Sequence, residues 1–357
     1  MRVAIIPPST RSGESTYSTC LINGLRRRGI AVDLIQHFAL NKPNLKVFLG
    51  SLVLPKLIDK GDISILHNVD NLGPFLIKRK NVNVEFVLTV HDITPILLPN
   101  IHNTIVKFDW KILLPRLIGN SDAVIAVSVS TKNDLVSVLK IEKSKIEVIP
   151  EGVDTTIFYP RTASEMVLRK YNISQPYVLY VGTDHPRKNL RSLILGYSKI
   201  YSDIVQDLVL VGPIDHSRIR RIIDSCNNLE SQKKELLNRV KVVGYVDEKD
   251  LPVIYSAASA FVFPPLYEGF GLPPLEAMAC GLPVVVSDNS SLREVVGGAG
   301  LYINDPLSQE QIAEVILKIL EDDKLQKKLT QKGIEQARQF SWDRTVEKTI
   351  EVYSRFS

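Results

Sequence analysis

Cysteine is scarce: Cys20, Cys226 and Cys280, widely spaced and odd in number, are all that 357 residues contain. That leaves no disulfide framework and no CxxC metal site. No apolar run approaches the ~20 residues needed to span a bilayer. The apolar start at residues 1–6 is too short for a signal-peptide core and is broken by Pro7 and Pro8. A Walker A lysine loop, an HExxH helix, a GxSxG elbow and a clustered Cys/His ligand set are also missing. Gly269-Phe270-Gly271 lacks the third glycine of a dinucleotide fingerprint and stands too late in the chain for one. Hydride transfer, zinc hydrolysis and serine-nucleophile catalysis are thereby poorly supported. No metal site is expected, and the expected location is the cytoplasm.

What is present is ordinary for a globular chain, with 45% hydrophobic and 23% charged residues, which sets aside disordered, collagen-like and coiled-coil readings. At roughly 100–200 residues per domain the length suggests two domains. Val/Ile/Leu runs at 3–6, 63–66, 84–90, 123–127 and 146–149 are interleaved with helical stretches such as 15–28, which Gly29 ends. After Pro160 the series restarts, with runs at 178–181, 208–211, 240–243, 260–263 and 284–286 and a helix at 190–201. Such runs suit strands buried on both faces of a parallel sheet. Two βαβ series in tandem predict an α/β fold of two Rossmann-like domains, at 1–158 and 159–338. A terminal helix at 339–357 follows, with Ser341 as its N-cap and Val346, Ile350 and Tyr353 on its buried face.

The charge is lopsided. Residues 1–160 hold 19 Lys+Arg and 14 Asp+Glu, whereas the remainder holds 25 of each. The excess gathers at Arg26-Arg27-Arg28 and Lys78-Arg79-Lys80. A basic half suits nucleic acid, an anionic membrane surface or a phosphorylated acceptor, and scattered solvated lysines account for the charge equally well.

The most informative segment is residues 263–283. It leaves a strand, turns through Gly269-Phe270-Gly271, and enters a helix with Pro273 and Pro274 in the first turn, where a missing N–H costs little. Gly281 suits the C-terminal cap. Loop N–H groups and a helix N-terminus form a ready anion site, and glycines let a ligand approach the backbone. Glu268 stands before the loop and Glu276 is expected in the first helical turn. Carboxylates accept hydrogen bonds from diols, so the layout suits a ligand with phosphate in the middle and diols at both ends. Arg187 and Lys188 follow another strand and precede another helix, which aims two cations and a helix N-terminus at one point.

The frame Glu268-Gly269-Phe270-Gly271-Leu272-Pro273-Pro274-Leu275-Glu276 resembles the signature of retaining GT-B glycosyltransferases, specifically family 4 (glycosyl transferases group 1), with its mannosyl- and glucosyltransferases. The resemblance runs nearly end to end. Val181-Gly182-Thr183-Asp184-His185-Pro186-Arg187-Lys188-Asn189-Leu190 is similar to the family's phosphate-binding loop, and Val243-Gly244-Tyr245-Val246 to the strand end that holds the base. Ser121–Ser128, 148–154, 290–296 and the closing Phe340-Ser341-Trp342 helix also match. The resemblance implies two domains facing a central cleft, the first for the acceptor and the second for the donor, with the terminal helix packing back on the first. It places Lys188 on the donor diphosphate, with Arg187 as the second charge because Thr183 stands where a common variant has Arg. It places Glu268 and the loop N–H groups of Gly269, Phe270, Gly271 and Leu272 on the donor sugar, Glu276 on the ribose diol, and Val243 and Tyr245 at the base. His91, in Thr89-Val90-His91-Asp92, would face the donor sugar near its reacting carbon. Of the glycine-rich run expected in the first loop, only Gly13 is kept. His37, His67, His102, His185 and His216 are read as structural or surface residues.

By that resemblance the expected activity is retaining, metal-independent transfer of a sugar, mannose as first choice, from GDP-mannose or a UDP-sugar to a glycan or lipid-linked sugar. No cofactor beyond the donor and no nucleic acid partner is implied, and the basic first half suits peripheral contact with anionic lipid. A nucleotide-sugar epimerase, a glycan phosphorylase and a non-catalytic sugar-nucleotide-binding partner of another transferase share the architecture and remain the alternatives.

Overall fold

The computed structural model describes residues 1–8, 13–35, 63–71, 84–102, 104–226 and 229–356. It divides into two compact units, Met1–Gly152 with Phe340–Ser357, and Val153–Gln339. Each is a parallel sheet flanked by helices.

In the first unit the strands are β1 (Arg2–Ile6), β2 (Ala31–Leu34), β3 (Ile65–Asn68), β4 (Glu85–Val90), β5 (Ala123–Ala126) and β6 (Ile146–Val148), in the order β2-β1-β3-β4-β5-β6. The second holds β7 (Tyr177–Val181), β8 (Asp207–Val211), β9 (Val240–Gly244), β10 (Ala260–Phe263), β11 (Val284–Ser287) and β12 (Gly300–Ile303), in the order β12-β11-β10-β7-β8-β9. All pairings are parallel. The inner strands β3, β5, β10 and β11 are buried along their whole length, which is why β5 and β10 read as unbroken apolar runs, while β3 and β11 end on the buried polar residues His67-Asn68 and Ser287.

β2 and β12 are not visible as apolar runs. Both are edge strands and only partly buried, so selection for a continuous apolar pattern is weak in Ala31-Val32-Asp33-Leu34 and Gly300-Leu301-Tyr302-Ile303. The helix expected at 190–201 is helical only over Leu190–Tyr197. The first helix runs Gly13–Arg27, and Gly29 takes a left-handed φ of 76° just past its end.

The second sheet reverses direction between β7 and β10. The chain fills β7, β8 and β9 to one side, then β10, β11 and β12 to the other. Loops leaving neighbouring strands at such a reversal diverge and open a crevice at their carboxyl ends, where ligands of open α/β sheets bind.

The first unit ends at Gly152, not at 158. Residues 153–158 fold with the second unit: the Phe158 ring stands edge-on to Tyr255 at 6.2 Å, and the Arg161 N–H donates to Ser256 Oγ at 3.1 Å. After the second unit the chain returns, and the helix Trp342–Tyr353 packs on Gly13–Arg27. Ser341 caps it by accepting from the Arg344 N–H at 3.3 Å. Its buried face is Trp342, Thr345, Val346, Thr349, Val352 and Tyr353, with Ile350 only half-buried. Two threonines take inward positions because their hydroxyls are satisfied there, Thr345 Oγ1 by the Pro150 carbonyl and Thr349 Oγ1 by the Thr345 carbonyl, both at 2.7 Å. Asp343 on this helix meets Arg28 at 3.3 Å and Arg27 at 3.7 Å, so one carboxylate balances one of the arginine triplet's three charges within the unit. Lys78-Arg79-Lys80 and His37 lie outside the described residues.

Gly152 marks the tightest approach of the returning chain. A Cβ there would stand 2.3 Å from the backbone of Ser341 and Trp342. Gly152→Ala should therefore cost about 1–3 kcal/mol by overpacking. Gly119→Ala, with no atom within 4 Å of the new methyl, should be neutral or slightly stabilising. Urea denaturation of the two variants tests the contrast.

Candidate functional site

Two loops meet at the reversal in the second sheet. The loop after β7 closes with a 3-10 turn at Pro186–Lys188 and with Asn189 in the left-handed region, φ 56°. His185 begins the turn, its Nδ1 accepting from the Arg187 N–H at 3.2 Å. The tight turn places Arg187 and Lys188 on the side facing the loop after β10. There the two cations share one carboxylate: Arg187 donates to Glu268 Oε2 at 3.0 Å, and Lys188 pairs with Glu268 Oε1. Arg187 also donates to the Tyr267 carbonyl at 3.2 Å, and the Leu266 N–H to the Arg187 carbonyl at 2.8 Å. Glu268 is buried, and its two partners are mostly so. Counted as fixed charges, the cluster carries one net positive charge.

The β10 loop is held from behind by consecutive serines. Ser290 Oγ accepts the Glu268 N–H at 2.9 Å, and Ser291 Oγ donates to the carbonyls of Glu268 and Phe270 at 3.0 and 2.6 Å. Gly271, at φ 116°, turns the chain into the helix Leu272–Ala279, a conformation that side chains resist. Glu276 sits in the second turn of that helix, not the first, because the helix begins at Leu272. One of its oxygens accepts from Tyr255 Oη at 2.9 Å, and the other carries no protein hydrogen bond among the described residues. Burial pushes its carboxyl up to about 7, Glu248 adds to the rise and the Tyr255 hydrogen bond opposes it.

Thr183 is committed to its own turn, its carbonyl accepting from Tyr180 Oη at 2.8 Å. Val243 lies on edge strand β9 and lines a groove of about 440 Å³ with Lys170, Tyr171 and His216. Tyr245, just past β9, is 71% exposed.

His91 belongs to the first unit, immediately after β4. It is buried, and both ring nitrogens face acceptors: Nδ1 meets Glu151 Oε1 at 3.0 Å and Nε2 the Val69 carbonyl at 3.2 Å. Satisfying both requires an N–H on each, an imidazolium. Burial opposes that charge, but the Glu151 hydrogen bond and charge, then Glu14 and the Val69 carbonyl, outweigh it and raise His91 to about 9. The His91 N–H donates to Asn71 Oδ1 at 2.7 Å, and Asn71 Nδ2 to Glu14 Oε1 at 3.1 Å. Gly13 opens the helix that carries Glu14. His67 is the opposite case. Burial, with the His91 charge second, drives it down to about 3, and its ring bridges Tyr353 Oη at 2.6 Å and Thr89 Oγ1 at 2.8 Å. Among the described residues no three His, Cys, Asp or Glu side chains converge as metal ligands.

The family models agree with this architecture. Residues 168–336 match the model for glycosyl transferases group 1, and 11–157 that for glycosyltransferase family 4. O-antigen chain mannosyltransferase B of Escherichia coli is 35% identical over 271 residues, 75% of this chain and 69% of that protein. The chain belongs to the family 4, group 1, glycosyltransferases. Serotype-specific mannosyltransferase WbdA of Escherichia coli is 28% identical over 78% of this chain, which spans about a third (34%) of that protein. Sucrose-phosphate synthase from Thermosynechococcus elongatus shares the GT-B fold, with a TM-score of 0.82 and 24% identity over 99% of this chain and 98% of that one.

In this glycosyltransferase the residues singled out from sequence fall into two groups. Arg187, Lys188, Glu268 and the Gly269–Gly271 loop come together in the second unit, and His91 sits in a separate network in the first. Sequence reasoning gave no role to Glu14, Asn71, Glu151, Tyr255, Ser290 and Ser291, which act through contacts 20 or more residues distant in the chain; Glu151, Ser290 and Ser291 do lie in the matching segments 148–154 and 290–296.

The folded enzyme binds the Glu276 proton more tightly than the unfolded chain does. That contribution to stability is full below the ordinary value of 4.5 and is lost as pH rises through about 7. Melting temperature should therefore fall across that window. Glu276→Gln, which does not titrate, should flatten the fall, whereas an unaltered slope would assign it to another group.

Proposed function

We propose that this enzyme transfers a hexose, mannose as first choice, from a nucleotide-diphosphate sugar to a hydroxyl of a glycan or lipid-linked sugar, with retention of anomeric configuration. The convergence of Arg187 and Lys188 at the reversal of the second sheet carries the proposal. Two fixed cations there suit a diphosphate. β9, with Val243 and Tyr245 at its end, lies two strands from β7, roughly 10 Å at about 4.8 Å per strand. That is a span a nucleotide covers between diphosphate and base. The uncommitted oxygen of Glu276 suits the ribose diol between them, and mannose follows the mannosyltransferases among the relatives.

In the proposed step the bond between the sugar's anomeric carbon and the diphosphate oxygen breaks as the acceptor oxygen bonds to that carbon from the same face. The acceptor's proton passes to the departing diphosphate. The growing negative charge on that diphosphate is met by Lys188, Arg187 and the N–H groups near Gly271, a role that a divalent cation fills in other transferases. Glu268 and the loop amides orient the donor sugar. His91, its ring committed within the first unit, contributes a fixed position and charge on the acceptor side.

Lys188→Ala should lower kcat by about 10²–10³, as loss of a well-placed electrostatic stabiliser does. EDTA should leave wild-type turnover intact. Assays with GDP-mannose and UDP-sugars, after a thermal-shift screen of both, check each outcome, and near wild-type turnover by the variant would refute the assignment.

Among the described residues no helix is long and apolar enough to cross a membrane. We further propose a cytoplasmic enzyme that touches anionic membrane peripherally through its basic first half. Flotation with anionic vesicles should weaken as salt rises, and flotation indifferent to salt and lipid charge would contradict the contact.

A further inference from the structure

Resting on the diphosphate reading above, we propose that Glu268 is an internal counter-anion that holds the place of the diphosphate between turnovers and returns to it to release the product. Its two carboxylate oxygens are divided between the two cations, Oε2 to Arg187 at 3.0 Å and Oε1 to Lys188. This is how one anion bridges a fork made for another. The carboxylate is buried and its backbone is pinned on both sides, by Ser290 at the N–H and Ser291 at the carbonyl. The main chain therefore stays in place while the side chain changes partner. Lys188 Nζ also lies 5.2 Å from the centre of the Phe263 ring, a second surface that steadies the ammonium when the carboxylate leaves it.

The arrangement separates two needs. Without Glu268 the two cations would lose a buried counter-charge that they share, at a cost to the fold and with stronger retention of the nucleoside diphosphate left after transfer. With it, a bound diphosphate displaces one carboxylate from two cations, and the freed carboxylate turns to the sugar hydroxyls. As product departs, the ion pairs re-form. Glu268 thus lowers affinity for the diphosphate and speeds its departure.

Titration calorimetry of the full chain with inorganic pyrophosphate, GDP and UDP tests this. Removing one competing charge at contact distance should tighten pyrophosphate binding to Glu268→Gln by about tenfold or more. The nucleoside diphosphate that binds wild type should tighten similarly and become a stronger product inhibitor. Glu268→Gln should also melt lower than wild type in anion-free buffer and regain stability with pyrophosphate. Should that variant fail to fold, Glu268→Asp, whose shorter side chain cannot span both cations, should still bind pyrophosphate more tightly. Affinity equal to or weaker than wild type in either folded variant overturns the proposal. If neither GDP nor UDP binds wild type while pyrophosphate still tightens, the donor reading fails and the counter-anion role stands.

Discussion

Two cations on one loop sharing a single carboxylate on another is the interaction around which the second unit is organised. Arg187 and Lys188 can reach Glu268 only because β7 and β10 are neighbours in the sheet, although their first residues, Tyr177 and Ala260, lie 83 positions apart in sequence. Beyond the point where their loops meet, the chain continues to opposite sides of the sheet. The backbone bond from Leu266 to Arg187 and the serine clamp behind Glu268 then leave the charged side chains as the movable part. Buried ion pairs are weak contributors to net stability but strict about geometry, which suits a site that exchanges one anion for another.

The first unit handles buried charge differently. Two buried histidines among its described residues sit in opposite states, His91 as a cation between a carboxylate and a carbonyl and His67 neutral between two hydroxyls. The hydroxyl of Tyr353 comes from the very end of the chain. The last helix is therefore part of this unit's polar interior, and its inward threonines follow from the same demand that buried polar groups be paired.

Much of the fold was legible in sequence because it rests on patterns shorter than a helix. The inner strands announced themselves as apolar runs, and Gly29, Ser341 and Gly271 marked helix ends by local chemistry. The edges β2 and β12 were silent since neither is buried on both faces. The domain boundary slipped from Gly152 to 158 because nothing local reveals that Phe158 packs on Tyr255. Glu276 was placed a turn early although the helix start was legible: with Gly271 before it and Leu272 first, Glu276 is the fifth residue and falls just past the first turn.

By itself the sequence determined the alternation of strands and helices, the doubled series, and which residue types sit beside the glycine loop and the basic turn, since all of these are encoded within about twenty neighbouring residues. Only tertiary structure decided that Glu268 lies between Arg187 and Lys188, that Tyr255 holds Glu276, and that Glu151 makes His91 a cation. Each of those depends on which strands lie side by side, and strand order is set by burial of the whole sheet rather than by any local stretch of chain.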